Sequence, residues 1–394
     1  MGTFELTPPS IDKTPRHGFL CCVECFEFAW LRHFVTLRSQ QTGTCDFCDS
    51  QNIALIEVSH LSSYFLNMTS MYAPVSSENT ILQLEDAVDA GEFLDSLIQE
   101  DWQIFSERLC ELGAGQDLLE AILHARYTEA EWRTLEREHK GPVPEAFDRD
   151  EIYTSRQNPG DYKLIDAWDE HKKEVLVKSG SSEPFAIARQ DFERISNRLM
   201  AGCNLYRARV GFKTVKSSKY SSDDETYRDG DIGPPPASAT KAGRANHAGQ
   251  VVLYCADQME TAVAEVRPAR GNLVSVGLFK VKRDIALLDL VMDQPPINPF
   301  TQPNLSLAVE LADLFKTFGE DLATPLRRSD DVSEYKPSQS LTDAVHLAKF
   351  DGIRYPSAMN RNGSNVVIFK PNDVEFVSSK LVAIDDVIVQ FNVS

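Results

Sequence analysis

Five of the chain's eight cysteines fall between residues 21 and 48, while Cys110, Cys203 and Cys255 are scattered far apart. So uneven a distribution needs a local cause. Cys22-x-x-Cys25 and Cys45-x-x-Cys48 are separated by nineteen residues, a spacing expected when two turn-borne thiolate pairs close a tetrahedral zinc site. Each pair brings two sulfurs onto one ion about 2.3 Å away, and the ion substitutes for a core that so short a segment cannot build. Cys21 is an alternative to Cys22 in the shell. Four thiolates leave no open position for water, so Cys22, Cys25, Cys45 and Cys48 are expected to hold a structural Zn2+ rather than a catalytic one. The blander reading, two disulfides or plain buried thiols, is disfavoured for bridges in a reducing interior. Arg16, Arg32, His33 and Arg38, interspersed with Glu24 and Glu27, make a thin footprint for nucleic acid.

At 394 residues and 44.1 kDa the chain is too long for one ordinary core, so two or three units are expected. Forty Lys+Arg against 59 Asp+Glu leave a net charge of −19, which repels phosphate backbones and anionic lipid at long range. No stretch approaches the ~18 consecutive apolar residues of a membrane span, and the first residues lack a basic region followed by an apolar one. A cytoplasmic protein is the simplest expectation.

From about Leu82 to His139 the apolar residues keep a helical period, through Leu94, Leu97, Ile98, Phe105 and Leu109 and then Leu118, Leu119, Ile122 and Leu123. Gly113-Ala114-Gly115 breaks it, and a further helix is expected near Asp161 to Val177, before a linker at Gly180 to Pro184. The pattern implies a zinc-ribbon-like segment at 1–60, an α-helical bundle at 61–180 and a third unit at 187–394. Arg133 and His139 loosely match the Arg and His spacing of HEPN ribonucleases, but on so charged a helix a solvated face is the commoner meaning.

In the third unit Asp191 precedes an expected helix through Phe192, Ile195 and Leu199, stopped by Gly202. A strand follows in which Arg207 and Arg209 share a face, and two adjacent guanidiniums want an anion. Residues 216–250 are polar and long enough for a lid. Val251 to Tyr254 reads as a short strand. Asp257 and Glu260 form an expected capping box opening a helix whose apolar stripe is Met259, Val263 and Val266, with Glu265 at its border. Strands at Leu273 to Val281 and Ile285 to Leu290, helices at Ser306 to Phe318 and Ser338 to Lys349, a stop at Gly352, a turn through Ser357 and a strand from Asn365 to Phe369 complete a mixed α/β unit.

Five pieces in order carry a resemblance to a known family: Leu205-Tyr206-Arg207, Gly243-Arg244-x-Asn246 with Leu253-Tyr254, Ala262-x-x-Glu265, Gly352-Ile353-x-Tyr355-x-Ser357, and Asn365-Val-Val-Ile-Phe369. Together they resemble the RES domain over roughly residues 187 to 380. Ala245 departs from the aromatic usual between that Arg and Asn, and the 216–242 stretch is longer than usual. The region before it resembles the HEPN-like part found ahead of some RES domains. The resemblance implies a toxin of a bacterial toxin–antitoxin pair, a fold similar to ADP-ribosyltransferase toxins, and consumption of NAD+. It implies Arg207, Glu265 and Ser357 as catalytic residues, with Arg207, Arg244, Tyr254 and Asn365 holding the dinucleotide. Glu265 would stabilise an oxocarbenium-like ribose or activate water, and the arginines would grip the pyrophosphate. An NAD+ glycohydrolase is the leading expectation. Alternatives are an ADP-ribosyltransferase or NAD+ phosphorylase using the same site, or a non-catalytic NAD-binding module. A protein antitoxin and a homodimer are the partners expected by analogy.

Overall fold

The structure is a computed structural model that describes residues 18–75, 92–128, 130–131, 134, 152–155, 163–177, 183–216, 222–291, 297–324 and 332–387. Arg133 and His139 lie outside the described residues. The chain forms two compact units, Met1–Tyr162 with Pro296–Val309, and Lys163–Pro295 with Glu310–Ser394.

In the first unit β1 (Leu20–Cys22), β2 (Gln41–Gly43) and β3 (Ile53–Glu57) form an antiparallel sheet of order β1-β3-β2. Helices α1 (Ala29–Arg38), α2 (Ser62–Thr69), α3 (Leu94–Trp102), α4 (Glu107–Glu111) and α5 (Gly115–His124) accompany it, and β4 (Tyr72–Pro74) pairs with β5 (Tyr153–Ser155). Gly113, with φ at +65°, makes the turn between α4 and α5. The boundary expected at residue 60 is not where this unit divides. One continuous hydrophobic cluster runs from Cys21 through Phe65 and Ile98 to Leu123 and takes in Phe300 and Leu305. The reason is local: the cysteine segment cannot bury Phe26 and Leu31 by itself, so it closes onto the helices. Ser106 Oγ donates to the Glu24 carbonyl at 2.7 Å, and the Glu27 amide donates to the Ile104 carbonyl at 2.9 Å.

The second unit starts with α6 (Lys163–Val177), which sequence had grouped with the bundle. Its Trp168 is fully buried edge-on to Phe318 and donates from Nε1 to Asp321 at 2.7 Å. After α7 (Arg189–Phe192) come β6 (Ser196–Leu199), β7 (Asn204–Val210), β8 (Lys213–Lys216), β9 (Ser222–Glu225), β10 (Leu253–Ala256), α8 (Met259–Glu265), β11 (Leu273–Val281) and β12 (Ile285–Asp289). The chain continues through α9 (Leu305–Ala323), α10 (Lys336–Leu347), β13 (Gly352–Pro356), β14 (Ser364–Ile368) and β15 (Val374–Ala383). Eight strands make one mixed sheet in the order β15-β11-β7-β10-β14-β13-β12-β6, antiparallel except for β12 with β13. Leu205, Leu253, Cys255, Phe279, Val366 and Ile368 pack together on one face.

Three local expectations change. The helix expected to reach Leu199 ends at Ile195, because residues 196–199 pair with β12 and propensity yields to a ladder. Asp257 does not cap α8, whose first position follows Gln258 with no side-chain cap. Its carboxylate instead accepts from the Ser364 amide and hydroxyl at 2.9 and 2.7 Å. Gly352 does not stop a helix. Lys349, at φ +66°, does that, and Gly352 begins β13, where a Cβ would sit 2.2 Å from the Val367 carbonyl oxygen.

Candidate active site

The site begins with a parting of strands. β7 pairs with β11 over seven residues, from Asn204 to Val210, but with β10 only through Tyr206 and Ala256. Beyond that single bridge the strands diverge and leave a cleft of about 460 Å3, part of it open to solvent. Period-two alternation sends Tyr206 and Ala208 from β7, Tyr254 and Ala256 from β10, Tyr355 from β13 and Asn365 from β14 to the same face, and Ala262 and Glu265 of α8, with Val266 just after it, line the cleft beside them.

Glu265, at the last position of α8, is half-buried, and its Oε1 accepts from Ser357 Oγ at 2.6 Å and from Asn365 Nδ2 at 2.7 Å. The Ser357 hydroxyl itself accepts from the Met359 and Asn360 amides, each at 3.1 Å, so its one proton is committed to Glu265. Among the described residues no donor reaches Glu265 Oε2. The carboxylate is held by one oxygen and presents the other.

Arg207 comes from the opposite side of the β7 pleat to Tyr206, and its guanidinium spans the gap. Nε donates to the Ile232 carbonyl and Nη1 to the Tyr254 carbonyl, both at 2.8 Å. Burial, with the Arg209 charge nearby, pulls its pKa below the ordinary arginine value. Among the described residues no carboxylate pairs with it. Arg209, expected beside it, turns outward over the Tyr227 ring and donates to the Asp231 carbonyl at 2.5 Å. Arg244 caps the end of α9 instead of lining the cleft, with Nη1 donating to the Leu322 carbonyl at 3.0 Å. Its charge still acts on Tyr254 and Tyr355.

The Tyr254 hydroxyl is spent within the protein, accepting from the Ala245 amide at 2.9 Å and donating to Asn246 Oδ1 at 2.8 Å. Burial pushes its pKa up to about 12. What remains for a ligand is its ring. The sequence thus brings Arg207, Glu265, Ser357, Tyr254 and Asn365 together, and places Arg244 at the margin. It passed over Tyr355 and Tyr206 as lining groups; the signal was the alternation that sets Tyr355 two residues from Ser357 and across from Asn365.

The matching family model now has its geometry in view: it is that of the RES domain, over residues 205–390. The chain carries a RES domain. Among solved structures, the M. tuberculosis MbcT–MbcA toxin–antitoxin complex is similar at 15% identity, over 50% of this chain and 91% of that one, with a TM-score of 0.28. No curated protein matches the chain. No described helix is long and apolar enough to cross a membrane. The RES domain contributes every residue of the cleft.

A second constellation lies in the first unit. The sulfurs of Cys22, Cys25, Cys45 and Cys48, all buried, are within 4.8 Å of one another. A tetrahedral ion with bonds of about 2.3 Å separates its ligands by about 3.8 Å, so the four sulfurs suit a metal ion. Hydrogen bonds from Cys22 and Cys25 hold Cys45 far below an ordinary thiol, at about 2, while Cys25, hydrogen-bonded to Cys22 and Cys45, is pushed far up. A bound divalent cation would supply the charge that lets four thiolates share so small a space. Cys21, the alternative ligand, is not among them, because adjacent strand residues face opposite sides.

Proposed function

We propose that the RES domain binds NAD+ in the parting between β7 and β10 and cleaves its nicotinamide–ribose bond with water as acceptor. One observation carries the reading: a carboxylate fixed through a single oxygen shares a cleft with a half-buried guanidinium that, among the described residues, has no carboxylate partner. A half-buried cation whose protein partners are neutral carbonyls is well placed to receive an anion, and the pyrophosphate of a dinucleotide is such an anion. Glu265 then faces the ribose. As the bond from C1′ to the nicotinamide nitrogen breaks, its electron pair neutralises the pyridinium and leaves positive charge on the ribose, which Glu265 stabilises. Water adds to C1′ and its proton passes to Oε2, giving ADP-ribose and free nicotinamide. Ser357 and Asn365 act through the carboxylate by holding its direction.

We propose further that Cys22, Cys25, Cys45 and Cys48 hold a structural Zn2+, and that a protein antitoxin restrains the activity, as the RES family implies. The deciding experiment follows nicotinamide release from NAD+ by the purified full chain, with Glu265→Gln as control. Release that falls at least ~10³-fold in the variant is expected. A wild-type chain that binds NAD+ without releasing nicotinamide would overturn the enzyme reading in favour of a binding module.

A further inference from the structure

Three tyrosines reach the cleft, and they are not equivalent. Tyr254 has used its hydroxyl on Ala245 and Asn246. Tyr206 is half-buried, so its hydroxyl is within reach of water. Tyr355 is only 4% exposed, and its hydroxyl has no hydrogen-bond partner among the described residues. It is also not sealed in, because Tyr355 lines the cleft.

A mostly buried phenol whose hydroxyl makes no bond within the protein and opens onto a cleft keeps its proton available to whatever enters there. The position of Tyr355 gives that proton a use. It stands directly across the β13–β14 ladder from Asn365, whose amide holds Glu265, and directly opposed residues on one face have Cβ atoms about 5 Å apart. Burial, followed by the Tyr254 and Glu265 charges, pushes its pKa well above the ordinary phenol value, with Arg244 acting in the opposite sense. The group is therefore a neutral O–H donor throughout the working range.

Resting on the reading that the cleft takes NAD+, we propose that Tyr355 donates its hydroxyl proton to one hydroxyl oxygen of the nicotinamide-side ribose while Glu265 Oε2 accepts from the neighbouring hydroxyl. A donor and an acceptor that line one cleft, linked through Asn365, suit a vicinal diol. Tyr355 is in this way a specificity determinant that selects a ribose over a deoxyribose.

The test is a cycle on the full chain. Wild type and Tyr355→Phe are compared in nicotinamide release from NAD+ and from analogues lacking the 2′- or the 3′-hydroxyl of that ribose, so that the differing intrinsic reactivity of the analogues cancels. On NAD+ the variant is expected to lose about 10- to 100-fold in kcat/KM. On one of the two deoxy analogues the loss should vanish. A thermal melt accompanies it: because the hydroxyl has no protein partner, Tyr355→Phe should melt at the wild-type temperature or above. An undiminished rate on NAD+, an equal loss on all three substrates, or a lowered melting temperature each overturns the assignment. A wild-type chain that fails to bind NAD+ at all brings down the proposed function and this inference together, and is seen in the wild type before any variant is made.

Discussion

The sulfur cluster of the first unit and the cleft of the second both gather chemically reactive side chains, yet they differ in the kind of partner each suits. At Cys22, Cys25, Cys45 and Cys48 four like sulfurs converge with all four buried, and the partner proposed for them is a cation. In the cleft a cation, Arg207, and a carboxylate, Glu265, coexist without pairing with each other, and the partner proposed for them offers both an anion and hydroxyl donors. The first arrangement is complete once one ion enters. The second stays open on one side, which is what turnover requires.

The largest effect that would test this contrast is on the cluster. Removing its metal with a chelator, or replacing Cys25 with Ser, should abolish the first unit's unfolding transition in calorimetry, because metal binding contributes folding free energy directly, here more than about 3 kcal/mol. Metal content by elemental analysis should be about one zinc per chain. A transition that survives metal removal unchanged would show that the hydrophobic cluster around Phe26, Phe65 and Leu118 suffices, and that the cysteines are buried thiols.

Next in size is Arg207. Arg207→Ala should raise the dissociation constant for NAD+ about 100-fold, close to 2.7 kcal/mol, since a charge-assisted bidentate contact is lost. Arg207→Lys should recover only part, because a point charge cannot bridge both the pyrophosphate and the Ile232 and Tyr254 carbonyls. Calorimetric titration with NAD+ reads this directly. Equal affinities in wild type and Arg207→Ala would mean that the guanidinium serves only to hold the turn at Ile232.

The same contrast explains what sequence could tell. The cysteine spacing is local, so the clustering of the four sulfurs was legible from residues 22–48 alone. The cleft is assembled from strands that meet only in the sheet, and sequence named Glu265 and Arg207 by family pattern and by alternation. It overreached where a local rule met a tertiary competitor. Asp257 has the form of a helix cap but is taken by Ser364, Arg244 has the form of an anion ligand but closes α9, and Gly352 has the form of a helix stop but lets β13 approach Val367. Tyr355 was quoted in a family motif but given no role, because nothing in a tyrosine between Arg354 and Pro356 says whether its hydroxyl will find a partner.

A smaller effect is expected at Ser357. Ser357→Ala removes one of two donors on Glu265 Oε1 and leaves Asn365 in place, so kcat should fall about 10-fold, near 1.4 kcal/mol, with KM little changed. Ser357→Thr should restore part of the rate. A change confined to KM would place the hydroxyl on the substrate instead.

The smallest effect sets Arg207 against another arginine. Arg283 has every partner Arg207 lacks: it meets Asp351 at 2.8 Å and Asp373 at 2.6 Å, in a side chain that is 45% exposed. Burial would raise the Asp351 pKa, but the hydrogen bond from Arg283 and that from the Ala286 amide outweigh it, and the carboxyl is held below its ordinary value of 3.8. A carboxyl depressed in the folded state contributes stability that is present above its unfolded pKa and is lost as pH falls through the lower, folded one. Solvent screens so exposed a pair, so Arg283→Ala should cost less than about 1 kcal/mol at pH 7. In denaturant titrations that cost should fade as the pH drops below the ordinary carboxylate range. A larger cost, or one that persists in acid, would mean that Arg283 stabilises the sheet through packing of its aliphatic stem rather than through its two carboxylates.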